Sequence, residues 1–338
     1  MKDRVIYIDR LKGYAILLVV VGHIIQLHTK DSTTNPLFEI IYSFHMPFFF
    51  FLCGYIADKT TSIKFKTDYW LFIKKKSMSL LIPFFIWPLI INNYFLNNSY
   101  YSNFTDIVIK QLGPTPSLWF LITLYKIMII FSIFYIISNK WKKSIYKDLI
   151  LLIIIFIPLF LISLNNFIYF NFLLYTSFFF FGIFLSKHIV LDRIINNKWV
   201  FLVTTILFFL LVGYYHSSAP ETLFLKAIKL ILTFALSFFA TVSLYNFSKR
   251  LDHPSWMDNF WIPMGQATII IYITPIILLP KTFFFPTDFP TLLILILCLI
   301  FSVLQMYISL AIGKIIECLP VLNLLLYGKL IKAKHNSI

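Results

Sequence analysis

The sequence is short of charge, of cysteine and of acid. Only 13% of its 338 residues are charged, about half the roughly 25% of an ordinary globular chain. That is too little polar surface to cover a water-soluble domain of this size. Cys53, Cys298 and Cys318 lie in or beside apolar runs without metal-ligand spacing, which excludes a disulfide framework and a zinc site. Acidic residues number 14 against 29 basic ones. In a soluble chain the resulting charge of +15 would suggest nucleic acid, but no soluble domain is left to bind it. No small-residue cleavage site follows the first apolar run after His28, so that run reads as a retained span and not as a removed leader. No internal repeat is evident.

What is present in quantity is apolar. Hydrophobic residues make up 59% of the chain, phenylalanine alone occurs 39 times, and the mean hydropathy is +0.84. The fold class is therefore an all-α integral membrane protein. Because a spanning helix takes about 20 residues, the apolar runs predict ten spans, at about 11–28, 37–57, 78–96, 118–138, 149–164, 167–186, 199–216, 222–247, 259–279 and 291–313. The whole of 1–338 reads as one membrane-embedded domain with a short basic tail from about 314 to 338.

Orientation follows from the lysines and arginines. With the N-terminus cytoplasmic, 23 of the 29 fall in inner segments, among them Lys64, Lys66, Lys74, Lys75, Lys76, Lys249 and Arg250. Lys30, Lys110, Lys226, Lys229 and Lys281 fall at the outer face, and Lys126 lies inside the fourth run. Ten spans return the C-terminus to the cytoplasm, so both termini are expected there. Most of the positive charge is accounted for by topology and by contact with anionic lipid, although the same inner cations are suited to a phosphorylated ligand.

The chemistry-bearing residues concentrate in the first two runs. In YIDRLKGYAILLVVVGHIIQLH, Lys12 and His23 are eleven residues apart. That is three helical turns plus roughly 20°, so both share one face, about 16 Å apart along the axis. Asp9 joins the same stripe, either as a group at the inner mouth or as a local ion-pair partner of Lys12. An ionisable group at the depth of His23 is costly unless it faces protein or water. The alternative is a neutral histidine bonded between helices.

The second run, LFEIIYSFHMPFFFFLCGYIA, places His45 near mid-membrane and Pro47 two residues later, where the missing N–H allows a break. Glu39 at its outer end is placed either to orient His23 or to reach interfacial water. Lys126 is too deep to reach either face with ease. Trp119 opens the fourth run, where an aromatic serves either sugar stacking or the interfacial belt. Lys226 and Lys229, one turn apart, suit an acidic or phosphorylated glycan or the outer headgroups.

These residues resemble the membrane acyltransferase-3 family, specifically its fucose 4-O-acetylase-like branch of sugar O-acetyltransferases. Lys12 and His23 match the family's basic residue, ten intervening residues and histidine. His45, Met46, Pro47, Phe48, Phe49 and Gly54 match its second-span run. SLWFLITLY around Trp119 resembles its fourth-span opening, and Gly265, Thr268 and Tyr272 resemble a ninth-span pattern. The likeness extends as spans over the whole chain, with specific motifs confined to about the first 125 residues and a patch near 265. Two positions depart from the pattern: Ser79 stands where the family often has arginine, and Thr274 and Pro275 stand where it often has histidine.

The resemblance implies transfer of an acetyl group from cytoplasmic acetyl-CoA, as co-substrate and not as a bound cofactor, to a sugar hydroxyl of a bacterial surface glycan across the inner membrane. In that reading His23 acts as general base or transient nucleophile and His45 as oxyanion or thioester-carbonyl partner. Asp9, Lys12 and Lys126 belong to the donor path, and Glu39 and Trp119 to the acceptor side. The implied partners are acetyl-CoA, a glycan and the bilayer, without nucleic acid and with room for a homo-oligomer. Intramembrane charges with a proline-broken helix also fit a transporter or flippase, a reading that the spacing of Lys12, His23 and the His45 run disfavours.

Overall fold

The structure is a computed structural model that describes residues 6–29, 35–94, 104–113, 116, 118–140, 144–165, 168–215, 223–251, 255–274 and 291–329. Lys30, Pro275, Lys281 and the basic tail beyond Lys329 lie outside the described residues, as does the side chain of Lys226. Among the described residues there is no strand. The helices are α1 (Ile6–His28), α2 (Pro36–Tyr42), α3 (His45–Thr60), α4 (Lys66–Tyr94), α5 (Phe104–Leu112), α6 (Trp119–Lys140), α7 (Ile145–Asn165) and α8 (Ile168–Lys187). They continue as α9 (Ile189–Ile195), α10 (Lys198–Val212), α11 (Leu223–Arg250), α12 (Ser255–Gln266), α13 (Thr268–Ile273), α14 (Thr291–Glu317) and α15 (Pro320–Tyr327).

In its described residues, each of the ten apolar runs lies mainly on one helix or on two in succession. Among the described residues seven spans are long and apolar enough to cross a membrane, α2 and α3 counting together, or eight if α9 and α10, bent by 61°, form one more. The difference from ten has local causes. The described side chains of α4 include Lys74, Lys75 and Lys76, and the ninth run is broken between α12 and α13 before the described residues stop at Thr274.

The chain divides into two compact units, residues 1–61 with 159–308 and residues 62–158 with 309–338. In the first unit two helix crossings bring backbones together. A Cβ at Gly54 of α3 would strike the Phe179 carbonyl of α8, and one at Gly182 would strike Phe51. Likewise a Cβ at Gly265 of α12 would overlap the Asp9 carbonyl of α1, and one at Gly13 would come 2.7 Å from the Trp261 carbonyl. Small residues at such crossings let membrane helices associate through close packing where lipid offers no hydrophobic drive.

Between α2 and α3 the helix breaks. Asn35 caps α2, its Oδ1 accepting from the backbone N–H groups of Leu37 (3.0 Å) and Phe38 (3.3 Å). At the other end Pro47 has no N–H to give the Ser43 carbonyl, and Ser237 Oγ of α11 donates to that carbonyl instead at 3.0 Å. The neighbouring carbonyls are also satisfied: Ile40 by Ser43 Oγ (2.7 Å), Ile41 by His45 Nδ1 (2.8 Å) and Tyr42 by the Tyr215 hydroxyl (3.4 Å). Broken backbone at membrane depth persists only where protein supplies such partners.

At the other end of α1 and α11 a polar cluster ties the first unit together. Arg10 grips Asp258 with two bonds, at 2.5 and 2.6 Å. Lys249 Nζ lies 2.7 and 2.8 Å from the two oxygens of Asp192, which also accepts from the Tyr245 hydroxyl at 2.6 Å. The hydroxyls of Tyr7 and Tyr55 pair at 2.5 Å.

The second unit follows the same rule at a different proline. Pro88 inside α4 frees the Phe84 carbonyl, which accepts from Gln111 Nε2 of α5 at 3.0 Å. Trp87 Nε1 donates to the Leu326 carbonyl at 2.5 Å, and Gly328, with φ of 63°, ends α15 against Ser79 of α4. Asp68 caps the start of α4, accepting from the backbone of Lys64 and Phe65 at 3.0 Å each, and these bonds hold its carboxyl below the usual carboxylate range. A cavity of about 760 Å³ opens here, lined by Lys64, Lys66, Tyr69, Tyr135 and Asn139 among others.

Candidate functional site

The close packing of α1 on the α2–α3 break decides which polar groups meet. Gly22 is buried, and a Cβ there would come 3.0 Å from the Tyr42 ring, so its bare backbone admits that ring beside His23. The Tyr42 hydroxyl donates to Gln26 Oε1 at 2.8 Å, and Gln26, one turn beyond His23 on α1, is also a hydrogen-bond partner of the His23 side chain. On its other side the Tyr42 ring lies 4.7 Å from the His45 ring, centroid to centroid, and stacks on Phe38 at 3.8 Å. His23 and His45 are close enough for the charge of one to act on the other. Two histidines from separate spans are thus joined through Gln26 and Tyr42.

The tautomer of His45 follows from its partner. A carbonyl only accepts, so the 2.8 Å contact with the Ile41 carbonyl puts a proton on Nδ1. Nε2 is then a lone pair in the neutral ring and a donor only when the ring is charged. His45 is buried, whereas His23 is half-buried. The less enclosed His23 is the one a reactant can reach.

Tyr215 and Lys229 extend the cluster. Lys229 Nζ stands 5.6 Å over the Tyr215 ring, and the Glu39 carboxylate acts electrostatically on both. Glu39 is half-buried in the first turn of α2.

At the opposite end of α1, Asp9 and Lys12 form an i,i+3 ion pair at 3.4 Å, with side chains 10% and 19% exposed. Gly265, one of the positions of the ninth-span pattern, is what seats α12 against Asp9; Thr268 and Tyr272 of α13 are buried beyond it. Lys12 and His23 remain on one helix face, separated along α1 by about 16 Å.

Lys126 and Trp119 belong to the second unit. Trp119 is half-buried at the first position of α6, and Lys126 is exposed seven residues on, about 10 Å along the helix. The two departures from the family pattern are both satisfied locally: Ser79 Oγ donates to the Lys76 carbonyl at 3.3 Å, and Thr274 Oγ1 donates to the Ile270 carbonyl at 2.7 Å.

Sequence reasoning missed Gln26, Tyr42 and Tyr215. The first two carry a readable signal, because each stands three residues from a histidine, Gln26 after His23 and Tyr42 before His45, and i,i+3 positions are neighbours on a helix. Tyr215 follows α10 and carries none. Around the histidines the polar company is phenol and amide, and among the described residues no three His, Cys, Asp or Glu side chains converge as metal ligands.

Comparison with known proteins bears on this arrangement. A family described as an acyltransferase domain matches residues 5–311. The chain is 30% identical over 148 residues to a nodulation protein NolL of Sinorhizobium fredii, a stretch covering 41% of this chain and 39% of that protein. It is 33% identical over 89 residues to a nodulation protein NolL of Mesorhizobium japonicum, covering 25% and 23% of the two chains. The matched stretches thus span less than half the length of either relative. No solved structure matches.

Proposed function

The chain belongs to this acyltransferase family, whose domain takes in nearly all of it, and on that footing we propose that it is a membrane O-acyltransferase that moves an acetyl group from cytoplasmic acetyl-CoA to a sugar hydroxyl of a bacterial surface polysaccharide or its lipid-linked precursor. In this reading it sits in the inner membrane with both termini cytoplasmic and falls in the fucose 4-O-acetylase-like branch. The observation that carries the proposal is the pair of His23 and His45, joined through Gln26 and Tyr42 at a broken span.

The step balances with these groups. His23 takes the proton of the acceptor hydroxyl as that oxygen attacks the thioester carbonyl. The new C–O bond forms, the C–S bond breaks, and the proton passes to the departing thiolate to give free coenzyme A. His45 is the proposed partner of the oxyanion: with its Nδ1 proton held by the Ile41 carbonyl, it donates from Nε2 only when the ring is protonated, and a fixed donor in a dry site is worth several kcal/mol. In the first unit Lys12, paired with Asp9, is the proposed cation for the donor's phosphates; in the second unit, taken by itself, Lys126 and the cavity lined by Lys64 and Lys66 offer cations of the same kind.

A transport path would leave backbone carbonyls at the break free for a solute. The four at Ile40 to Ser43 already accept from Ser43, His45, Tyr215 and Ser237, which favours the enzyme.

The test is purified protein in lipid with labelled acetyl-CoA and candidate glycans. Wild type labels the glycan and releases coenzyme A, and His23→Ala does neither above background. Labelling that persists in His23→Ala removes His23 from the centre of the reaction. A glycan crossing sealed liposomes without any thioester puts transport in its place.

A further inference from the structure

The proposed function names a sugar acceptor and leaves its charge open. Around the α2–α3 break a group of polar side chains keeps part of its surface accessible: Gln26 is exposed, and His23, Glu39, Tyr42 and Lys229 are half-buried, whereas Tyr215 and His45 are buried. Direct contacts join them. Lys229 Nζ stands 5.6 Å over the Tyr215 ring, the Tyr215 hydroxyl donates to the Tyr42 carbonyl at 3.4 Å, and the Tyr42 hydroxyl donates to Gln26, the partner of His23, at 2.8 Å. Glu39 lies one turn before Tyr42 on α2, where i,i+3 side chains are neighbours, and its carboxylate acts on both Tyr215 and Lys229. Ser237, about two turns beyond Lys229 on α11, donates to the Ser43 carbonyl at 3.0 Å, so α11 is fixed to the same break.

The charges of Glu39 and Lys229 cancel, and their hydrogen-bonding capacities are complementary. A carboxylate only accepts, an ammonium only donates, and the Gln26 amide does both. A sugar hydroxyl also does both, so an uncharged ring satisfies all of these groups. A carboxylate on the ring would meet Glu39 as a like charge, and an ammonium on the ring would meet Lys229 in the same way. Like-charge juxtaposition is how a site turns away a wrong partner.

We propose that Glu39 and Lys229 form a charge-balanced acceptor subsite beside His23, one that admits an uncharged sugar and rejects both acidic and amino sugars. The inference rests on the acyltransferase reading and narrows its substrate class. Glu39 and Lys229 are then specificity-determining residues, and Tyr215 is the positioning residue that holds Lys229 to the break. In the competing account Lys229 only reaches the outer headgroups, and its charge has no bearing on the acceptor.

The test uses the full-length protein in nanodiscs of fixed zwitterionic composition and a panel of methyl hexosides, each in a neutral, a uronate and an amino form. Binding is measured without acetyl-CoA, and transfer with labelled acetyl-CoA. Wild type should bind the neutral form of a hexoside about tenfold or more tighter than either charged form. Glu39→Gln should gain about tenfold in affinity for the uronate, and Lys229→Gln about tenfold for the amino form. A gain of binding does not arise from misfolding, and the ratio between two sugars on one preparation is independent of how much protein is folded. No preference for a neutral form anywhere in the panel overturns the proposal, as do variants that change all three forms by the same factor. If binding follows these ratios while no transfer depends on His23, the acyltransferase reading fails and the subsite stands. If transfer depends on His23 while the variants leave the ratios unchanged, the subsite fails and the acyltransferase reading stands.

Discussion

At the scale of single residues, Tyr42 is the group that turns two isolated histidines into a pair. Its hydroxyl reaches Gln26, which holds His23, and its ring lies on His45. Tyr42→Phe keeps both ring contacts and removes only the hydroxyl. Losing one such bond costs about 0.5–1.5 kcal/mol, so kcat should fall roughly threefold to tenfold. KM for acetyl-CoA should stay in place. A kcat equal to wild type would make Tyr42 a packing residue and detach Gln26 from the chemistry. His23 and His45 were legible in the sequence because a titratable side chain in an apolar run has few bland explanations. Tyr42 was not, since a chain with 19 tyrosines offers no reason to single one out until α1 and α2 are packed together. Asp9 and Lys12 were legible as a stripe, with their alternatives open; the ion pair they form is the local one, and Gly265 beside them acquires its meaning only as the seat of α12.

At the scale of helices, proline and a distant polar side chain act together. Pro47 frees the Ser43 carbonyl for Ser237, and Pro88 frees the Phe84 carbonyl for Gln111. Ser237 and Gln111 are buried. Pro47 was visible in the sequence as a place where a span can break and Pro88 was not singled out, and in neither case could the partner be found, because it comes from a helix 194 or 27 residues away in the chain. A double-mutant cycle tests the pairing. Ser237→Ala leaves the Ser43 carbonyl unpaired at membrane depth and should cost about 1–3 kcal/mol of stability. Pro47→Ala restores the N–H that an unbroken helix would donate, so the double variant should lose less than the sum of the two singles, with a coupling of about 1 kcal/mol. Strict additivity would show that Ser237 does not serve the break. Because the break also holds His45, Pro47→Ala alone should lower transfer more than it lowers stability.

At the scale of the whole molecule, the apolar runs are helical where they are described, seven or eight of them long and apolar enough to cross a membrane, since burial of backbone polar groups in lipid leaves few other options. What the runs did not reveal is that the ninth, too, is broken into two helices, and that the charge-poor composition conceals paired cations such as Arg10 with Asp258 and Lys249 with Asp192. The orientation drawn from loop lysines can be checked with the cysteines the chain already has. Cys298 is buried in α14, Cys53 is partly buried in α3, and Cys318 is exposed just past the end of α14. With the N-terminus inside, α14 runs from the outer face to the cytoplasm and delivers Cys318 there, beside Lys314, whose carbonyl its thiol approaches at 3.4 Å. A membrane-impermeant maleimide should therefore label Cys318 in inverted vesicles and leave it unlabelled in intact cells until the membrane is opened. Cys318→Ser should abolish most of that labelling, because burial keeps the other two thiols from the reagent. Labelling of Cys318 in intact cells would reverse the orientation. It would put the basic segments and the Lys64–Lys66 cavity on the outer face, and with them the donor side of the proposed reaction, which a cytoplasmic thioester could then not reach.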